Sequence, residues 1–210
     1  MVIDVSDSFS VSDYPAIKNF IKTIANLFHI SPHSSHLSVV TAGDFVKVPI
    51  TFKSSSYGKK KLLQALEGLK DTGGSWSLDR AFGAVKENVF SKENGARNFL
   101  PHIAIVITNT VSQKQGGWSA LAKTANELHN KKVNVYSIGV GNGPSFNELR
   151  LMVKDDSQVH HVDSFQNLIN LAPELSADIC KDNEGKNYCK IGLRPLIICF
   201  IIHLFETLNY

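Results

Sequence analysis

The chain alternates between short apolar runs and segments that carry an apolar residue at every third or fourth position. The continuous runs Ile103–Thr108 and Val133–Ile138 are rich in β-branched residues, which is typical of strands buried on both faces of a sheet. The three-to-four spacing predicts amphipathic helices. Further strands are predicted at Met1–Val5, Leu37–Thr41, Phe45–Phe52 and Val159–Val162, and helices at Ala16–Phe28, Leu62–Leu69, Leu78–Val89, Ala120–Leu128, Phe146–Val153 and Phe165–Ile179.

This alternation predicts an α/β fold, because parallel strands need crossover connections and helices supply them. We expect a doubly wound, mostly parallel central sheet with one antiparallel edge strand and helices on both faces, a Rossmann-like arrangement. Within the central run, we expect Ile105 and Ile107 to be buried on opposite faces. Ligands of such sheets bind at the carboxyl ends of the strands, which directs attention to the loops after Val5, Thr72 and Thr108.

The composition narrows the possible functions. A chain of 210 residues that is 43% hydrophobic and 20% charged fits one globular domain with a tail and excludes a disordered protein. The net charge of +3 is mild, and Lys59–Lys61 is the only basic run. We therefore expect no nucleic-acid partner.

A cluster of polar residues follows the first predicted strand. Asp4-Val5-Ser6-Asp7-Ser8 has the pattern Asp-x-Ser-x-Ser, and alternate residues on a loop can turn toward one point. One carboxylate and two hydroxyls there make an all-oxygen cluster that suits a hard cation such as Mg²⁺. A simpler interpretation is that Ser6 or Ser8 caps a turn or a helix.

Several motifs in this order resemble the von Willebrand factor A domain. Asp-x-Ser-x-Ser is followed by Gly73-Gly74-Ser75-Trp76-Ser77, by a strand that ends in Ile107-Thr108-Asn109, and by the run Val135–Gly141. The resemblance covers nearly all of Met1–Lys181, and the combination is specific although no single motif is. We therefore expect a von Willebrand factor A (VWFA) domain over residues 1–180, with 181–210 as a linker and a short hydrophobic tail outside the fold.

The resemblance implies a metal-ion-dependent adhesion site. Ser6 and Ser8 would bind Mg²⁺ through their hydroxyl oxygens and Asp4 through bound water, while Ser77 stands where the family usually has a threonine. In the family, an acidic residue of a protein partner completes the coordination of the ion. The implied function is therefore protein binding without catalysis.

One ligand position departs from the family pattern. Asn109 stands where the family has a second aspartate, and Thr110 replaces the glycine that usually follows. Asparagine keeps a carbonyl oxygen but removes one negative charge, so the attraction for Mg²⁺ falls. The expected metal ligands are Asp4, Ser6, Ser8, Ser77 and Asn109.

Two tryptophans lie in loops next to these ligands. Trp76 lies inside the loop that carries Ser77, and Trp118 follows Gly116-Gly117 on the loop after Asn109. Together they would form an aromatic rim for a protein partner. The alternative is that each of them covers a local apolar patch.

The resemblance favours an adhesion module of an extracellular-matrix protein, similar to the collagen, matrilin and integrin relatives. Met1-Val2-Ile3-Asp4 is too short and too polar for a signal peptide, and we expect the chain to be a fragment of a larger secreted or cell-surface protein. The alternative is an intracellular, metal-independent scaffold module of a multiprotein complex, which would fit the missing signal peptide.

The sequence gives little support for an enzyme. Gly139-Val140-Gly141-Asn142-Gly143 lacks the spacing of the dinucleotide-binding fingerprint, and the hydrolase pentapeptide Gly-x-Ser-x-Gly is absent. His160 and His161 lie in the predicted edge strand, where we expect one to pack and the other to face solvent, without a catalytic or metal-binding role. We expect neither catalysis nor a nucleotide cofactor.

The end of the chain contains an apolar run and a cysteine at the end of the last predicted helix. Pro195–Phe205 is almost wholly apolar but is about half as long as a membrane span. Three interpretations are open: a short hydrophobic helix, a truncated membrane segment, or, as we favour, sequence that does not belong to the native protein. We expect no membrane contact from this chain. We also expect no contribution to the fold, since Met1–Ile179 already supplies six predicted strands and their covering helices. In extracellular relatives, the point that Cys180 occupies is often tied to a cysteine before the first strand. We therefore expect Cys180 to be unpaired within this chain.

Overall fold

The computed structural model describes residues 13–42, 46–69, 78–109, 117–182 and 197–203. The predicted strand Met1–Val5 lies outside these ranges, as do the loops that contain Gly73-Gly74 and Thr110. The described residues form one sheet with helices on both of its faces.

The sheet has six strands in the described part of the chain, in the order β2-β1-β6-β3-β4-β5. The strand β2 is antiparallel to β1 at one edge, and every other neighbouring pair is parallel. The predicted α/β fold with a mostly parallel sheet and one antiparallel edge strand is confirmed. The bounds are β1 His36–Ala42, β2 Val46–Ile50, β3 His102–Thr108, β4 Val133–Val140, β5 Val159–Val162 and β6 Ile197–His203.

The helices cover both faces of this sheet. The first face carries α1, α3 and α7, and the second carries α4, α5 and α6. No helix in the described ranges is both long enough and apolar enough to cross a membrane. The bounds are α1 Asp13–Leu27, α2 Phe52–Ser55, α3 Lys59–Glu67, α4 Leu78–Ala84, α5 Gly117–Asn130, α6 Phe146–Met152 and α7 Leu168–Asp182.

The central strand β3 contributes to the core on both sides of the sheet. Ile105 and Ile107 are fully buried in the layer formed with α1, α3 and α7, whereas Ala104 and Val106 are fully buried in the opposite layer. The expectation that Ile105 and Ile107 lie on opposite faces was wrong. Side chains two positions apart in a strand point to the same face, and neighbouring residues alternate.

The tail supplies a strand in the middle of the sheet. The strand β6 pairs with β1 from Ile197 to His203 and with β3 from Ile197 to Ile201, and the Ile198 side chain is fully buried. The expectation that the tail contributes nothing to the fold was therefore wrong for residues 197–203. The run Ile-Ile-Cys-Phe-Ile-Ile-His is continuously apolar and rich in β-branched residues, as a strand buried on both faces requires.

The cysteine at the end of α7 also differs from expectation. Cys180 is disulfide-bonded, so the prediction that it is unpaired was wrong. Its partner lies outside the side chains that the structure describes. The bond lies within this chain, and no cysteine upstream of Met1 is required for it.

We predict that replacing Ile198 by alanine lowers the free energy of unfolding by about 2–5 kcal/mol, because a buried isoleucine loses contacts and leaves a cavity. Ile169→Ala is the matched control, since Ile169 is partly exposed on α7, and it should cost much less. Urea unfolding of the three proteins measures the difference. Equal stability of Ile198→Ala and the wild type would show that β6 does not pack in the sheet.

Two histidines lie at the amino-terminal edge of the sheet, where β1 and β3 begin. His102 stacks on Phe90 with ring centroids 4.7 Å apart, and the Arg97 guanidinium donates a hydrogen bond to the Ser34 carbonyl. Burial lowers the pKa of His36, and the charge of Arg97 lowers it further. Burial also lowers the pKa of His102. Both imidazoles are therefore held neutral in the folded protein.

This arrangement predicts a loss of stability in mild acid. The unfolded chain takes up these protons near the ordinary histidine pKa of 6.5, whereas the folded protein takes them up only at lower pH. Their stabilising contribution is complete above the unfolded pKa and is lost as the pH falls below it. We expect the thermal midpoint to fall between about pH 7.5 and about pH 5.5.

The variant His102→Phe tests the cause of this loss, because a phenylalanine ring can keep the stack on Phe90 but cannot titrate. Its midpoint should fall less over the same pH range. His33→Asn, at an exposed loop position, should keep the full dependence. An unchanged pH dependence in His102→Phe would contradict the assignment.

Candidate functional site

The strands β3, β4 and β5 end at one edge of the sheet, which we call the carboxyl edge. Thr108 of β3 pairs with Gly139 of β4, and Val140 pairs with Val162 of β5, so the loops that follow these strands leave the sheet side by side. The helices α5 and α6 begin after these loops and therefore also start near this edge. The carboxyl edge presents Asn109, Trp118, Gly141, Phe146 and His161.

Asn109 directly follows β3 and is buried, with only 8% of its surface exposed. Its amide supplies a carbonyl oxygen without a formal charge, which is a ligand that Mg²⁺ and other hard cations accept. The other predicted metal ligands, Asp4, Ser6, Ser8 and Ser77, lie outside the described residues. Asn109, the one predicted ligand in the described part of the chain, therefore has a donor atom that suits a hard cation but carries no charge.

The turn between β4 and α6 is held tightly against the end of β5. Gly141 has a φ of +71°, a conformation that favours glycine, and its N–H donates to the Val162 carbonyl at 2.8 Å. A Cβ at Gly139 would lie 2.9 Å from the Leu149 side chain, so the strand and α6 approach each other closely. These glycines close a turn and let a helix pack on the sheet.

Two large aromatic side chains stand at the helix starts on this edge. Trp118 is the second residue of α5 and is 48% exposed, while Phe146 is the first residue of α6 and is 52% exposed. The Phe146 ring stacks on His161 at a centroid distance of 5.6 Å, and the His161 Nε2 lies 2.7 Å from the Gly141 carbonyl oxygen. The Phe146 side of this aromatic surface is therefore held in place by His161.

The structure brings together only part of the predicted rim. Trp118 lies at the carboxyl edge as expected, and Trp76 lies outside the described residues. Phe146 and His161 were not foreseen in this surface. Phe146 continues the apolar spacing of Leu149 and Met152, which predicts a buried position, but it stands at the helix end where the sheet no longer covers that stripe.

The paired histidines of β5 behave as the strand alternation predicts. His160 is buried and His161 is exposed, because neighbouring residues of a strand point to opposite faces. One histidine packs and the other faces solvent, as expected. Each of them also contacts an aromatic ring from another element. His160 stacks on Tyr136 of β4, and His161 stacks on Phe146 of α6.

Residues 1–174 match the family model described as "von Willebrand factor type A domain". The chain belongs to this family. Among curated proteins, it is 24% identical over 187 residues to the human (Homo sapiens) collagen alpha-6(VI) chain, a match that covers 89% of this chain and 8% of the relative. The chain thus spans less than a tenth of that relative's length.

Solved structures with the same fold include proximal thread matrix protein 1 from the mussel byssus, described with a zinc-occupied MIDAS motif. Its TM-score is 0.77 at 22% identity, covering 85% of this chain and 47% of that chain. Manganese-loaded TRAP protein of Plasmodium vivax has a TM-score of 0.63 at 17% identity, covering 83% of this chain and 71% of that chain. At these identities, the likeness supports the shared fold.

Proposed function

We propose that this domain is a non-catalytic adhesion module that binds a protein partner of the extracellular matrix or the cell surface at the carboxyl edge. The observation that carries the proposal is the pair of half-exposed aromatic residues, Trp118 and Phe146, at the starts of two helices that pack together. Membership of the family and the collagen relative support the same function. They also support a place outside the cell, as part of a larger secreted or cell-surface protein.

The aromatic residues suit a binding surface for physical reasons. Tryptophan and tyrosine are enriched among the residues that dominate interface energies, and aromatic rings bury a large area while few torsions are fixed. Phe146 already has its ring against His161, so little side-chain freedom remains to be lost when a partner covers it. Trp76, in the proposed metal loop, would extend the rim.

A divalent cation is the second part of the proposal. Asp4, Ser6, Ser8, Ser77 and Asn109 would hold Mg²⁺. When bound, the ion would supply a positive charge for an acidic residue of the partner. Two neighbours with the same fold are described as metal-loaded, the mussel thread protein with zinc and TRAP with manganese, which supports a divalent metal in this domain. The uncharged Asn109 amide would attract the ion itself less strongly than an aspartate would.

The partner surface is tested by alanine substitution at Trp118 and Phe146. We expect each variant to weaken binding about 30-fold or more to whichever purified matrix protein the wild type binds in a solid-phase panel with Mg²⁺ present. Truncation of a central anchor costs at least ~2 kcal/mol, and each 1.4 kcal/mol is about tenfold in affinity. Phe99→Ala is the matched control, since Phe99 is 82% exposed just before the opposite, amino-terminal end of β3.

Three results would contradict the proposed surface. The first is that the wild type binds no member of the panel, and the second is that Trp118→Ala and Phe146→Ala both bind like the wild type. The third is that Phe99→Ala loses as much affinity as they do. Binding that survives chelation of Mg²⁺ would contradict the metal-bridged contact and would favour a metal-independent module.

We predict that Asn109→Asp binds Mg²⁺ more tightly than the wild type, because the substitution restores a carboxylate among the proposed ligands. Calorimetric titration of both proteins measures the change. Asn170→Asp is the control, since it adds the same charge at an exposed position on α7, and it should bind Mg²⁺ like the wild type. Equal affinities for Asn109→Asp and the wild type would mean that residue 109 does not line the site.

A further inference from the structure

A second group of metal-ligating side chains lies on the flank of the sheet, between β5 and α7. His160 belongs to β5, and Glu174 and Asp178 stand four residues apart on α7, which places both carboxylates on one face of the helix. One ligand atom from each of the three residues lies within 4.8 Å of the other two. Nothing in the family resemblance or in the proposed adhesion site uses these residues.

The histidine of this cluster is held in a fixed position. His160 is only 9% exposed, and its ring stacks on the buried Tyr136 at a centroid distance of 6.5 Å. Its Nε2 lies 4.0 Å from the Asp178 Oδ2, which is longer than a hydrogen bond. Asp178 is half-buried and Glu174 is exposed, so a cation could enter from solvent on the helix side.

The charges of the cluster favour a cation. Two carboxylates four residues apart on a helix repel each other. Within the described ranges, no lysine or arginine forms an ion pair with Glu174 or Asp178. A divalent ion between them would offset the repulsion and would also use the imidazole nitrogen.

The distances are close to those of a zinc site. Zinc ligands lie about 2.0–2.2 Å from the ion, so two ligands of a tetrahedral site are about 3.3 Å apart. The three ligand atoms lie within 4.8 Å of one another, so side-chain rotations that shorten these separations by less than about 1.5 Å would bring them to zinc-binding distance. They would then fill three of the four coordination positions, and water would fill the fourth. An imidazole nitrogen suits zinc, whereas Mg²⁺ is usually bound by oxygen atoms alone.

We propose that His160, Glu174 and Asp178 bind Zn²⁺ and clamp the edge strand β5 to α7. This role differs from the sequence interpretation, in which neither His160 nor His161 binds a metal. It is also independent of the proposed adhesion site, because the ligands come from another place in the fold and include a nitrogen donor.

The test uses the full chain without an affinity tag, titrated with Zn²⁺ by calorimetry. The wild type should bind Zn²⁺ and gain thermal stability from it. Glu174→Gln and Asp178→Asn should each bind at least about tenfold more weakly, since loss of even an outer partner of a metal site typically costs that much. Asp163→Asn, which changes an exposed carboxylate on the loop after β5, is the matched control and should bind like the wild type.

Two further measurements separate this site from the adhesion site. The Ser6→Ala/Ser8→Ala variant should keep the Zn²⁺ affinity, and Zn²⁺ should shift the imidazole nitrogen signals of His160 in nuclear magnetic resonance spectra. The proposal is overturned if the wild type binds no Zn²⁺, or if Glu174→Gln and Asp178→Asn bind it like the wild type. Loss of Zn²⁺ binding in the Ser6→Ala/Ser8→Ala variant would also overturn it, because the ion would then belong to the adhesion site.

Discussion

The fold depends on the strand that lies between β1 and β3 and pairs with the backbone of both. Both strands are buried along their whole length, and buried N–H and C=O groups need hydrogen-bond partners. The strand β6 provides these partners on both of its sides. It thereby joins the β2–β1 pair to the β3–β4–β5 group in one sheet. Because β6 is parallel to both neighbours, all strands except β2 end at the same edge. The helices of both layers therefore pack on one continuous sheet.

That shared edge explains how residues far apart in sequence form one surface. Asn109 follows β3, Trp118 starts α5, and Phe146 starts α6, while His161 comes from the last strand along the chain before α7. Each side chain is positioned by a different element, but every element is fixed by the sheet. A binding surface built in this way can change its side chains without changing the fold, since the core residues point into the two layers and not toward the edge.

The parts of the structure that the sequence predicted have either a regular apolar spacing or a continuous β-branched run between predicted helices. The continuous β-branched runs identified β3 and β4, and the alternating exposure of His160 and His161 followed from the strand itself. The strand β6 has the same kind of continuous β-branched run as β3 and β4. It was missed because it follows the end of the predicted domain and was assigned to a tail outside the fold. The short helix α2 was missed because the preceding apolar run was extended to Phe52, although Thr51 and Ser54 form a capping box there. The cluster of His160 with Glu174 and Asp178 depends on how β5 and α7 pack, which no spacing along the chain reveals.

Asn109 bears on the balance between the metal and the aromatic residues in the proposed binding surface. The proposed metal site has one carboxylate fewer than the family pattern, which would lower its affinity for the ion. The ion would then be bound less often at a given Mg²⁺ concentration. The aromatic contribution does not depend on that charge, because it comes from apolar area removed from water at Trp118 and Phe146. In the proposed surface, the aromatic residues would set most of the affinity, and the metal would add preference for an acidic partner residue. The proposed zinc site on the flank would have the opposite balance, since its two carboxylates would supply charge and its buried histidine would supply selectivity among metals.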